Sequence, residues 1–422
     1  MASINLLSTT TRVEAPFIHV RIGKYTFGIA TKSSDTSLLN KTITSKYYFP
    51  NYMKSIEVKK INGVVNTYTV NMIYVIRPGD DPNFLEKVFS SISDDRKIKL
   101  SYGDCSLPSF FYKEEEAIIT DIKSDMNVSA SSISYTLTCT GTGSTATAGT
   151  WNFKARFEQP SVVIKELLYT VKYGLKDLFY GMQNKSLVLA KGLIASDDKK
   201  VLIRAQNGKT VLEYLNYLVS CMSSVTDGLG IIKGSKYVLT FNDDIKSEFG
   251  GPYFKVSRIS TTFRTSSSSD IYEVDINFPG QNNVLGFSLD DNKAYSILYN
   301  YSGKVDQPDY VYKIDNKGDL QQIYSPILSN STKYLETTET DKTWWTQVTQ
   351  YPITGKLVIK GLLRPAILMT YVKINVYFYG RKHLSSGYYI ITNQVDSVDG
   401  SGYKTTLTVT RIKGDDEVVN IW

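Results

Sequence analysis

Histidine is almost absent from this chain: two occur, His19 and His383, so a histidine-ligated zinc site or a Ser-His-Asp triad has little raw material. Both lie in strand-like sequence, where a lone histidine is expected to be a hydrogen-bonded structural residue. Cysteine is nearly as scarce. Cys105, Cys139 and Cys221 are odd in number and far apart, with no CxxC pair, so they are expected as buried thiols. No run approaches the roughly 18 apolar residues of a membrane-spanning helix. The start, MASINLLSTTTR, lacks the basic and apolar segments of a signal peptide, so the expectation is cytoplasmic synthesis without membrane insertion. The formal net charge is +7, yet Lys and Arg form no block. Sequence-specific nucleic-acid binding, which needs them clustered with interleaved aromatics, is not expected.

What is present is material for several sheets. A chain of 422 residues exceeds one ordinary core, and 42% hydrophobic against 21% charged residues is the balance of a folded, multidomain protein. The 31 tyrosines pack a ring while keeping a hydroxyl wet, which suits sheets and subunit interfaces.

Along residues 17 to 140 the pattern is mostly strand. Phe17 to Ala30 reads as two strands broken at Gly23-Lys24. Ser55 to Ile61 and Val64 to Ile76 flank Asn62-Gly63, the signature of a type I′ hairpin, and Tyr68, Val70, Met72 and Tyr74 alternate with polar neighbours. Asp81 and Pro82 open a predicted helix with Phe84, Leu85, Val88, Phe89 and Ile92 on one stripe. Strands follow at Lys97 to Tyr102, Ala117 to Lys123 and Ile133 to Cys139. TGTGSTATAGT, Thr140 to Thr150, has linker composition. Helical spacing then covers Ser161 to Met182, and Thr210 with Glu213 forms a capping box before a second amphipathic helix. Gly228 to Phe241, Phe254 to Phe263 and Ile271 to Phe278 return to strand, the last two joined across TSSSSD. Residues 282 to 355 show no period. Four strand patterns close the chain, with DGSG as the final turn.

Chemical signatures are few. GKT at Gly208 to Thr210 resembles the end of a phosphate loop, but the required earlier glycine is Ile203, so the capping box is the better reading. Asp80-Asp81, Glu114 to Glu116, Asp243-Asp244 and Asp290-Asp291 are expected as solvated surface turns, and no Asp-rich loop has EF-hand spacing. Trp344-Trp345 reads as a cluster buried under a long loop, with a sugar platform or partner anchor as the alternative. The expectation is therefore no catalytic residue, no cofactor, no metal and no enzymatic activity.

Residues 355 to 414 resemble the closing segment of baseplate hub proteins of bacteriophage tails, which runs through SG-Y-x-I/V to GY-x-T-x-L-x-x-x-R. The matching residues are Ser386, Gly387, Tyr389, Ile391, Gly402, Tyr403, Thr405, Leu407 and Arg411. Residues 56 to 89 are similar to the hairpin and helix of a tail-tube-type domain, and residues 207 to 222 to the family's middle helix. The resemblance implies a β-rich α+β multidomain chain with two tail-tube-like β-barrels and a mixed α/β domain. Its divisions would be 1-148 for the first barrel, 149-249 for the mixed domain, 250-281 with 356-422 for the second barrel, and an irregular insertion at 282-355. It further implies a structural virion protein in the tail baseplate: a homotrimer whose six barrels link a sixfold tail tube to a threefold central spike. Partners would include the tail tube, the spike, and other baseplate or tape-measure proteins, with DNA passing through the lumen unread. A glycan-binding or wall-degrading tail protein and the spike of a contractile secretion system remain the alternatives.

Overall fold

A computed structural model describes residues 16–29, 46–92, 96–104, 114–147, 149–169, 200–222, 235–245, 252–260, 272–277, 284–291, 310–314, 320–324, 353–361, 368 and 371–414. The first stretch contains β1 (Pro16–Ile22), β2 (Tyr25–Ile29), β3 (Tyr48–Pro50), β4 (Met53–Ile61), β5 (Val64–Val75), helix α1 (Phe84–Ser90), β6 (Lys97–Asp104), β7 (Glu115–Asn127) and β8 (Ser132–Gly141). A 3-10 turn (Thr142–Thr147) leads to β9 (Trp151–Phe153), β10 (Arg156–Glu158), α2 (Pro160–Tyr169), β11 (Val201–Ile203), β12 (Gln206–Lys209), α3 (Val211–Cys221), β13 (Ser235–Asn242) and β14 (Tyr253–Ser260). The remainder is β15 (Tyr272–Ile276), β16 (Val284–Asp291), β17 (Tyr310–Ile314), β18 (Leu320–Tyr324), β19 (Ile353–Lys360), β20 (Tyr371–Phe378), β21 (Arg381–Lys382), β22 (Gly387–Asp399) and β23 (Gly402–Gly414).

The chain is β-rich, and one mixed sheet of 15 strands runs through it. Its path is β16-β19-β23-β22-β4-β5-β8-β7-β6-β1-β2-β3, with β20, β15 and β21 branching from β22. The expected pair of closed barrels is corrected here, because among the described residues no ladder closes either part. The cause lies in β22, which is 13 residues long. Its first half pairs with β20 and its second half with β4, from Asn393 opposite Ile61 to Asp399 opposite Ser55, so the sheet continues into the next unit. At the far end β3 finishes at Pro50, which has no N–H to offer another strand.

Three cores follow from strand alternation. The first gathers Tyr68, Val70, Met72, Tyr135 and Leu137 beneath Leu85 and Val88 of α1. The second unit buries Ile374, Tyr389, Ile391, Leu407 and Val409. Between them Leu215, Leu218 and Val219 of α3 pack on Leu239, Phe254 and Val256, and Phe153 stacks on Tyr214 with centroids 3.8 Å apart.

Several local expectations change. Gly63 takes the left-handed conformation at φ +70° while Asn62 does not, so the hairpin turn is not type I′. Helix α1 starts after Asn83, and Asp81 instead accepts hydrogen bonds from Asn83 N and Lys87 Nζ. The supposed linker is packed: Ala146 is buried in the middle core, and Gly141 and Gly143 lie where a Cβ would strike Asp243 and Phe241. β14 pairs along its whole length with β13, not with β15, which instead runs parallel to β20. Within the stretch expected to be irregular, β16 and β19 are ladder partners in the main sheet, and β17 pairs with β18. The helical pattern beyond Tyr169 lies outside the described residues, as do Cys105, Trp344 and Trp345.

Candidate functional site: a buried ionic cluster at the seam of the sheets

Where β22 joins β4, alternation puts polar residues inside. Lys60 on β4 and Glu115 at the start of β7 form an ion pair at 2.5 Å, their side chains 3% and 1% exposed. Glu115 also accepts from Tyr102 Oη at 3.3 Å. Asp243, at the end of β13, accepts from Asn66 Nδ2 at 2.8 Å and Tyr68 Oη at 2.9 Å. Asp396 on β22 accepts from Thr405 Oγ1 at 2.6 Å, Gln394 Nε2 at 2.8 Å and Tyr403 Oη at 3.2 Å.

One ammonium therefore sits among three carboxylates, each from a different part of the chain. Burial by itself disfavours the charge on Lys60, but attraction to Glu115, Asp396 and Asp243 outweighs it and its pKa is raised. Burial likewise pushes the Tyr68, Tyr102 and Tyr403 hydroxyls well above the ordinary tyrosine value, and the nearby carboxylates add to it. These tyrosines stay neutral donors. The carboxylates are sealed from water and engaged by donors, an arrangement suited to holding strands together.

Backbone contacts tie the middle unit to the same place. β5 breaks its alternation at Val65 and Asn66, both buried: Val65 enters the middle core, and Asn66 Nδ2 also donates to Phe241 O at 3.1 Å. Gly63 N donates to Leu239 O at 2.8 Å and Gly63 O accepts from Asn216 Nδ2 at 2.8 Å. Glu116 N donates to Asp243 O at 2.9 Å.

The acidic pairs thus divide. Asp80 and Asp81 serve an exposed turn, as expected, with Asp80 accepting from Arg77 N at 2.9 Å. Glu115 and Asp243 are corrected from surface turn to buried cluster, while Glu114 and Glu116 flank them with ion pairs to Arg21 at 3.2 Å and Lys97 at 3.3 Å. Sequence reasoning missed this site because its members are far apart in the chain; the visible signal was Lys60 on the apolar phase of β4.

The remaining candidates are structural. Among the described residues neither ring nitrogen of His19 has a hydrogen-bond partner, contrary to expectation; the edges of Phe17 and Tyr48 pack around it, and burial lowers its pKa to about 4. His383 follows β21 in a turn, its N bonded to Val376 O and its Nδ1 2.8 Å from Ser385 Oγ. Thr210 and Glu213 make the reciprocal capping bonds of α3, and Gly208 N donates to Asn152 Oδ1, so no phosphate cradle forms there. Cys139 and Cys221 are buried free thiols, and burial raises Cys139 to about 12.

Of the residues carrying the hub resemblance, Tyr403 and Thr405 enter the ionic cluster. Ser386, Tyr389 and Arg411 pin the preceding turn: Ser386 Oγ accepts from Val376 N, Tyr389 Oη donates to Ser385 O, and Arg411 donates to Leu384 O and Ser386 O. Ile391 and Leu407 lie in the second core.

No protein-family profile matches the chain, and no curated protein does. Among solved structures it is similar to a tail protein from Neisseria meningitidis MC58, at TM-score 0.50 and 10% identity over 94% of this chain and 96% of that one. It is also similar to the prophage MuSo2 tail protein from Shewanella oneidensis, at TM-score 0.48 and 9% identity over 94% and 98%. An E. coli type VI secretion component, described as structurally similar to bacteriophage T4 tail proteins, gives TM-score 0.48 and 11% identity over 86% and 74%. At 10% identity the first of these is a likeness of fold, and it spans nearly the whole of both chains.

Proposed function

We propose that this chain is a structural virion protein, a baseplate hub that links a sixfold tail tube to a threefold central spike. The observation that carries the reading is the fusion, through the β22–β4 ladder, of two sheet units within one chain. Three copies would then present six units, matching six neighbours on one side and three on the other. In this reading the units are the tube-like modules 1-148 and 250-281 with 356-422, the mixed domain 149-249 braces them, and 282-355 is an insertion that contributes strands to the wall.

The edges support assembly. A sheet with unpaired edges is completed by neighbouring subunits when a ring forms, which gives a stiff conduit. The buried cluster supports a load-bearing role, since it ties β4, β7, β13 and β22 together at one point. The role is mechanical, with the tail tube, spike and other baseplate proteins as partners and DNA passing unread.

Negative-stain microscopy and light scattering on the purified chain, alone and with its tail tube protein, test this. The expected result is a three-copy ring with a lumen and pseudo-sixfold outline. A chain that stays monomeric with and without the tube protein sinks it.

A further inference from the structure

The second sheet unit has a slot in its wall. β15 pairs only with β20 and β16 only with β19, so among the described residues each keeps one edge without a ladder. The two edges flank one cleft of about 450 Å³, to which β15 brings Asp275 and Ile276, β16 brings Val284 and Phe287, and β20 brings Val376 and Phe378. Ile276 and Val376 belong to the core of this unit, so the cleft opens onto that core. Large apolar side chains stand exposed at or beside its rim: Leu285 at 47%, Phe378 at 50%, Leu384 at 48% and Tyr379 fully. A concave apolar site between two strands with open hydrogen-bonding edges matches an added strand better than a small molecule, which cannot satisfy both edges.

The polar end of the slot states a charge preference. Asp275 lines it, and no Lys or Arg does. Asn375, buried beside it, donates through Nδ2 to Asp275 and Glu273, while its Oδ1 has no donor among the described residues. Acceptors are in excess there, which favours an incoming cation. The chain's other open edges do not supply one: β3 ends at Pro50, and the outer edge of β7 beyond Ile119 carries Asp121 and Asp125 around Lys123.

We propose that this slot accepts one extended segment of another protein, apolar at alternate positions and bearing a lysine or arginine that meets Asp275, which pairs with β15 and β16 and completes the wall. The proposal goes beyond the hub reading and stands apart from it, because it concerns the single chain whether or not a ring forms.

The test is fluorescence anisotropy on the full chain with a blocked, labelled nonapeptide in which valine and threonine alternate around a central lysine, beside its central-glutamate counterpart. The lysine peptide is expected to bind about fivefold or more tightly than the glutamate peptide. Leu285→Glu is expected to weaken binding by about tenfold or more with an unchanged melting temperature, since Leu285 is half exposed, and Asp275→Asn to erase the lysine preference. Absence of binding at millimolar peptide, or equal binding by Leu285→Glu, overturns the proposal. Self-association that Leu285→Glu abolishes also overturns it, by showing a second copy as the occupant. A chain that binds the peptide yet forms no ring keeps this inference and loses the hub.

Discussion

The Lys60 ammonium meets the Glu115 carboxylate at 2.5 Å although their strands, β4 and β7, share no ladder and are separated in the sheet by β5 and β8. Contact across that distance requires the sheet to curl, and the pair lies on the inside of the curl with Asp243 and Asp396 close enough to act on the same lysine.

Removing the cation should therefore cost more than removing one anion. Lys60→Met leaves three buried carboxylates uncompensated and is expected to lose about 3–5 kcal/mol, the range for breaking a buried pair. Glu115→Gln keeps the shape and leaves Lys60 with two carboxylates, so it should cost less. Equilibrium unfolding in guanidinium chloride measures both, and equal midpoints for Lys60→Met and the parent would show that the cluster does not hold the seam.

Close approach at the same seam gives a sharper contrast between two glycines. A Cβ on Gly141 would lie 2.2 Å from Asp243 Oδ2, and Asp243 cannot retreat without breaking its bonds to Asn66 and Tyr68. Gly141→Ala is expected to destabilise by about 1–3 kcal/mol, as overpacking does. Gly400, in the exposed final turn with nothing within 4 Å of an added Cβ, should tolerate alanine within about 0.5 kcal/mol. Melting temperatures of the pair decide it; similar losses at both positions would refute the packing argument.

That contrast also explains what the sequence could show. Period-2 alternation revealed most of β1, β2, β4 to β8, β22 and β23, because one face of each is buried and the pattern is local. The capping box at Thr210 was legible for the same reason. Gly141 and Gly143 were misread as linker because small residues signal either freedom or close approach, and only the partner, Asp243 or Phe241 some hundred residues away, tells which. The ionic cluster was hidden by the same distance. β16 was missed because it is an edge strand with a half-exposed, broken alternation.

At α3 the local signal has a measurable cost. Glu213 N donates to Thr210 Oγ1 at 3.1 Å while Thr210 N donates to Glu213 at 2.8 Å, and these bonds with the Lys209 contact hold the Glu213 carboxyl below its usual pKa. Thr210→Ala should cost about 1 kcal/mol and Thr210→Ser almost nothing. Chemical unfolding monitored by circular dichroism checks this. A serine variant as weak as the alanine one would argue against the hydroxyl.

His19 gives the fold an acid limit. It is neutral in the folded chain down to about pH 4, whereas an unfolded histidine takes its proton near 6.5. Between those values the unfolded state binds the extra proton, so stability rises with pH across the window and is lost as pH falls from 6.5 towards 4, by roughly 3 kcal/mol in full. The cause is steric as well as electrostatic. The ring is wedged between Phe17 and Tyr48, and Gly28 leaves no room on its other side, with a notional Cβ 2.5 Å from His19 Cδ2, so neither water nor a counterion reaches it. His19→Leu should therefore flatten the dependence of unfolding free energy on pH between 6.5 and 4, whatever it does to stability at neutral pH. Denaturant titrations of both proteins at pH 7.0, 5.5 and 4.5 give the slope, and an equally steep loss in the leucine variant would move the acid sensitivity to another group.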